Sequence, residues 1–374
     1  MKPVLALAAL VLLLPGTSVA QEKGAGEGQA AQSTHDEQAA QEEGEAVEQV
    51  EKTEKAGEGS GMPDSVALLT GGSSGSSRKI PFGGFVLLEQ QLGSGTFVSD
   101  QYARNPYYAW LLSIRPRYFF TDHIFAELRI DLRQELTTSF GTSTTKKRQL
   151  MPSDTLLTFK WQNAYTIPVA EISISPYVRL AAPTSYESRY RDLYIAAAAG
   201  FDLTRLIGPV YLVYSFRFSK NFHKYTVATV PKDIDKPVAV ARSGGAEDLG
   251  GAIATGDNNV SFSVFNSIMA SFLVSDEWTI TLQWAMANGW TYNSFPKDDL
   301  SSAYADAGRG QSDAMYGVLD VTYQPWKHVG FSMGISTKQL PKSDDNKHYN
   351  FPWWDFRKPA ENNSVIYFDV FATY

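Results

Sequence analysis

The sequence predicts an all-β chain closed into an antiparallel transmembrane β-barrel of about twelve strands, within a range of about ten to fourteen. Three observations predict it: long segments of alternating polarity, connections that alternate short and long, and an amino-terminal export signal. The segments are 82–93, 107–120, 123–137, 155–167, 170–182, 192–204, 209–220, 259–274, 278–291, 313–325, 328–339 and 364–374. Most exceed the roughly 5–6 residues of an ordinary soluble strand. A tilted strand needs about 9–11 residues to cross the hydrocarbon.

The segment 123–137 shows the pattern most clearly. Ile124, Ala126, Leu128, Ile130 and Leu132 fall on one face; Glu127, Arg129, Asp131, Arg133 and Glu135 fall on the other. A sheet spans lipid only when closure removes its edges, because backbone groups find no water there. The apolar face then meets lipid, and aromatic residues mark its borders: Tyr118, Trp278, Tyr323 and Trp326 at one end, Trp110, Trp290 and Tyr292 at the other.

The connections sort the two ends. Short ones fall at 121–123, 167–171, 205–209, 275–278 and 325–328; long ones cover 94–106, 138–154, 183–191, 221–258, 292–312 and 340–363. The expected arrangement is short periplasmic turns and long extracellular loops. An even strand count returns both chain ends to the short-turn side.

Residues 1–20 read as a cleavable signal peptide: Lys2, an apolar run from Val4 to Leu14 too short to span a bilayer, then Ser18-Val19-Ala20. Residues 21–60 hold eleven acidic residues against three lysines, a balance of −8; with Lys2 this accounts for the net charge of −7 and leaves 61–374 neutral. With few large apolar side chains, 21–78 reads as a disordered periplasmic segment and linker ahead of a barrel over 79–374. The neutral body gives no footing for nucleic acid. The absence of cysteine leaves no disulfide and no zinc thiolate.

The last segment ends on Tyr374, with Ala372, Val370, Phe368 and Ile366 alternating back from it. This resembles the terminal assembly signal of bacterial outer-membrane β-barrels, whose last residue is more commonly Phe. The chain is similar to outer-membrane porins and barrel transporters over 82–374, at the level of architecture and without a specific family. The resemblance implies residence in the bacterial outer membrane, lipid as solvent, and assembly by the barrel-insertion machinery through the strand ending at Tyr374.

The candidate functional residues are those on the inward parity. The basic set is Arg115, Arg117, Arg129, Arg133, Lys160, Arg179 and Arg217; the acidic set is Glu89, Glu127, Asp131, Glu135, Asp202, Asp320 and Asp369. They suit a water-filled lumen passing small polar solutes. They suit equally a set of ion pairs that merely fills the barrel, since side chains fill an eight-stranded interior and wider barrels leave channels or carry plugs. A plug would come chiefly from 221–258. A structural or adhesive barrel presenting its loops is the first alternative function, and an outer-membrane barrel enzyme a distant second.

Catalysis is not expected. The histidines are His35, His123, His223, His328 and His348, and none adjoins a serine nucleophile in a recognisable pattern. Neither "ATGDNN" at 254–259 nor "KSDDN" at 342–346 carries EF-hand spacing, so both read as turns, and no cofactor or metal is expected.

Overall fold

The computed structural model describes residues 81–97, 107–137, 148, 150–231, 252–292, 310–343, 347–357 and 362–374. The signal peptide and the acidic segment read from the sequence lie outside the described residues. The strands are β1 (Phe82–Gly93), β2 (Tyr108–Phe119), β3 (Ile124–Glu135), β4 (Leu150–Pro152), β5 (Thr155–Trp161), β6 (Tyr165–Ile167), β7 (Ile172–Ala182), β8 (Leu193–Ile207) and β9 (Val210–His223). They continue as β10 (Val227–Pro231), β11 (Ala252–Asn258), β12 (Val260–Leu273), β13 (Trp278–Thr291), β14 (Gln311–Trp326), β15 (Val329–Gln339) and β16 (Ser364–Thr373).

β4, β5 and β6 occupy one position in the sheet, and β10 pairs only with β11; the remainder forms a closed antiparallel barrel of twelve strands. Each strand pairs with its sequence neighbour, and β16 returns to β1 to complete the ring. At the seam Gly84 and Tyr374 exchange backbone hydrogen bonds of 3.0 and 3.1 Å. The tip of the Tyr374 ring packs over Gly84, 2.3 Å from where a Cβ would stand, so a larger residue there would displace the ring.

The alternation reads true on the outer wall. Leu88, Ile114, Ile130, Phe159, Val178, Phe218, Ile268, Ile280, Leu319, Met333 and Phe368 are all exposed. So broad an apolar surface is what lipid, rather than water, covers. Aromatic pairs border it: Trp278 stacks on Tyr323 at 4.5 Å and Phe82 meets Tyr118 at 5.3 Å at the short-turn end. At the other end Phe262 stacks on Trp290 at 5.0 Å.

Two elements depart from the expected pattern. The segment 155–167 is interrupted between β5 and β6, where Asn163 turns to φ 51° and donates its backbone N–H to Ser175 Oγ at 2.9 Å. The segment 221–258 is no simple loop, because β9 runs on to His223 and the β10–β11 pair follows.

Candidate functional site

Every inward candidate sits opposite the exposed apolar row of its own strand, and most are locked to a neighbour. Arg117 reaches Glu127 at 2.5 Å and Arg129 reaches Asp131 at 2.7 Å. Asp131 also accepts from Ser113 Oγ at 2.6 Å, and Ser113 Oγ accepts from Arg115 Nε at 3.0 Å. Thus Arg115, Ser113, Asp131 and Arg129 form one continuous chain across β2 and β3. Arg115 lies over the Phe85 ring at 5.3 Å and Arg117 over Phe125 at 5.3 Å. Arg133 bonds the Tyr107 hydroxyl and lies over that ring at 4.9 Å. Glu135 accepts from Thr137 Oγ1 at 3.1 Å.

Further round, Lys160 reaches Asp202 at 2.5 Å, and Asp202 accepts from Ser215 Oγ at 2.7 Å. Arg179 Nε donates to Thr158 Oγ1 at 3.0 Å and lies over Tyr177 at 5.6 Å. Arg217 covers the Phe265 ring at 4.6 Å.

The other acids are held differently. Asp320 accepts from Thr322 Oγ1 at 2.7 Å and from the Tyr367 hydroxyl at 3.0 Å; Asp369 accepts from Ser332 Oγ at 2.9 Å. Glu89 and Asp369 stand directly opposite each other across the seam, and Gln91 donates to Glu89. Their donors are hydroxyls, a phenol and an amide.

Accessibility divides the interior in two. On β1, β2, β14 and β16 the inward side chains Phe85, Leu87, Glu89, Leu111, Arg115, Val318, Asp320, Asp369 and Phe371 are buried, with Phe85 and Phe371 stacked at 5.9 Å. On the long-loop halves of β7, β8, β9 and β12 the inward Tyr177, Arg179, Ala198, Arg217, Ser219, Ser263 and Phe265 are half-exposed, whereas the inward Ser175, Asp202 and Val213 nearer the short turns are buried.

The inward element that sequence reasoning missed is a short helix, α1 (Tyr186–Tyr190), in the connection from β7 to β8. Ser185 caps it, accepting from Ser188 N–H at 3.0 Å. Asp154, before β5, takes Ser185 N–H at 3.0 Å and Ser188 Oγ at 2.5 Å. Glu187 pairs with Arg191 at 3.7 Å, and the charge of Lys338 on β15, across the ring, also acts on it. Burial pushes the Glu187 carboxyl up to about 7 against the pull of those two cations. The buried Asn259 fastens this region, donating to the carbonyls of Arg191 (3.3 Å), Tyr225 (3.0 Å) and Val227 (3.0 Å). The signals were Ser185 ahead of Glu187, with Arg189 in the last turn.

A closed barrel, apolar outside and polar within, defines a transmembrane β-barrel of the bacterial outer-membrane kind. No protein-family model matches the chain, and no curated protein matches it in sequence. Solved structures do resemble it. The COG4313 outer membrane channel from Pseudomonas putida F1 is 12% identical with a TM-score of 0.45, covering 81% of this chain and 99% of its own. The NanC porin is 8% identical with a TM-score of 0.39, covering 78% and 98%. LpxR from Salmonella typhimurium is 9% identical with a TM-score of 0.32, covering 77% and 99%.

The last of these corrects one expectation. The reading of the chain as a non-enzyme is not established: LpxR is among the solved barrels that resemble it, and a fold does not fix a function.

Proposed function

We propose that the barrel is a pore for small polar solutes whose path follows the β7–β9 side of the interior. The observation that carries this reading is the half-exposed inward strip on the long-loop halves of those strands, against the packed wall of β1, β2, β14 and β16. A barrel whose ion pairs served only as filling would bury both sides alike. The strip and adjoining β5 carry Lys160, Arg179 and Arg217 against Asp202, so small anions are the favoured cargo. Helix α1, with Glu187 influenced by Lys338 from the far wall, narrows the mouth. In this reading the short turns face the periplasm and the long loops the exterior.

The test is single-channel current in planar bilayers. Stepwise conductance with reversal potentials on the anion side is expected. A barrel that remains silent after α1 is trimmed back to a short turn is no pore, and the loop-presenting role would replace this one.

A further inference from the structure

The outer wall has one anomaly. At the long-loop end of β14, β15 and β16 the outward positions are Met315, Gly317, Thr337, Gln339 and Ser364. Three are polar, and Met315, Thr337, Gln339 and Ser364 are all buried, although outward positions nearer the short turns (Leu319, Met333, Ile366) are exposed. Part of the β15–β16 connection covers them. Its Pro352 carbonyl stands 1.8 Å from where a Cβ on Gly317 would lie, so glycine is required at that point of the wall. Trp353 Nε1 donates to the Gln283 carbonyl at 2.7 Å, about half-way along β13.

The connection turns its polar groups toward the wall and itself. Gln339 Nε2 donates to Phe351 O at 2.5 Å, and Asp355 N–H donates to Ser364 Oγ at 2.9 Å. Asp355 is chelated by Arg357, and its carbonyl accepts from Asn362 Nδ2 at 2.6 Å. Asn350 donates to the carbonyls of Leu340, Lys342 and Pro341 at 2.9–3.0 Å. Away from the wall the same segment shows rings: Tyr349 is 82% exposed, Phe356 77% and Phe351 48%. Phe351 contacts both Trp353 and Phe356, at 5.4 and 5.5 Å.

We propose that residues 349–357 are a lipid-contact patch seated at the boundary between headgroups and acyl chains. Irregular backbone reaches membrane depth only when its polar groups find protein partners, as those of Asn350, Phe351, Asp355 and Arg357 do here. Amphipathic rings gather at that boundary, and the patch is continuous with the lipid-facing wall below it. Lys342, whose ammonium lies over the Tyr349 ring at 5.8 Å, is exposed and suits a lipid phosphate. The connection thus takes the place of lipid over the polar end of the wall and supplies a new apolar surface.

The chain has no cysteine, so single spin labels can be placed cleanly. Phe356→Cys and Tyr349→Cys are labelled in barrels reconstituted into phosphatidylethanolamine–phosphatidylglycerol vesicles, with Met333→Cys as the bare-wall control. Collision rates with dissolved oxygen and with a water-soluble nickel chelate are then measured. Oxygen collisions exceeding nickel collisions severalfold at 349 and 356, as at 333, are expected. Nickel-dominated collisions at 349 and 356 would show that the patch stands in water. Suppression of both collision partners there would show that protein, such as a second copy of the chain, covers it. Either result overturns the proposal, and neither bears on whether the interior conducts.

Discussion

The two halves of the barrel interior solve the same problem differently. On β2 to β9 three cations are matched to anions, in Arg117–Glu127, Arg129–Asp131 and Lys160–Asp202. On β14, β16 and β1 the acids Asp320, Asp369 and Glu89 are held by hydroxyls, the Tyr367 phenol and an amide. A matched pair is vulnerable to loss of one partner, because the other is left charged and unsolvated. An acid held by neutral donors can be exchanged for an amide of the same shape at small cost.

The largest effect is expected at Lys160–Asp202, a pair held almost out of solvent. Asp202→Asn strands Lys160 and should cost about 3–5 kcal/mol, read as a lower urea midpoint in detergent. Unchanged stability would show that water reaches Lys160 freely.

Next comes the wall itself. Ile130→Arg places a charge on the lipid face and should cost about 2–4 kcal/mol, seen as reduced assembly and loss of heat-modifiable mobility on gels. Normal assembly would reverse the assignment of inside and outside.

On the opposite half, Asp320→Asn keeps one acceptor oxygen and turns its amide N–H toward the other hydroxyl, which can rotate to accept, so stability should shift by only about 1 kcal/mol. A shift as large as that of Asp202→Asn would erase the distinction between the two halves.

Selectivity sharpens the contrast without touching stability much. Arg179→Gln with Arg217→Gln should move the reversal potential toward cations, since both line the half-exposed strip. Arg129→Gln with Arg133→Gln should move it in the same direction but less, because Arg129 is paired and Arg133 lies against Tyr107. Equal shifts would mean that the path runs down the centre rather than along one side.

The smallest effect concerns pH. The Glu187 carboxyl rises from an ordinary 4.5 to about 7 in the folded chain, chiefly through burial. Its ionisation therefore opposes the docked helix. Docking is firmest below about pH 4.5, weakens as pH rises toward 7, and changes little above that. Conductance should increase across this window, and Glu187→Gln should flatten the profile at its low-pH level. A profile that persists in the variant assigns the titration elsewhere.

Alternation carried most of the fold. It placed Arg129, Asp131 and Arg133 opposite Leu128, Ile130 and Leu132 because a strand has only two faces and one register satisfies both. It could not show which inward charges meet, since Arg117–Glu127 depends on the β2–β3 register and Lys160–Asp202 bridges strands that are not neighbours in the sheet. The break at Asn163 was hidden because one residue at positive φ leaves no periodic trace. Helix α1 is too short for a helical period to register, although its cap was visible. The 340–363 connection was counted as a long loop; its course down the outer wall depends on Gly317, whose missing side chain says nothing until Pro352 is seen against it. The exclusion of catalysis failed for another reason: scanning for local motifs cannot test residues that only folding brings together.

The seam between β1 and β16 bears on how fast the protein can form. Every other pairing in the ring joins strands that follow one another along the chain, β9 and β12 across the β10–β11 pair and the rest by a single connection. The seam joins residues separated by nearly the whole described chain, so its contacts are out of reach until the intervening pairings have ordered that chain. Closure is therefore the last event of folding, and the intermediate before it is an open sheet with two unpaired edges. Such edges invite pairing with other chains. The lifetime of that open sheet, more than the stability of the finished barrel, sets how much of the protein is lost to aggregation on its way into the membrane.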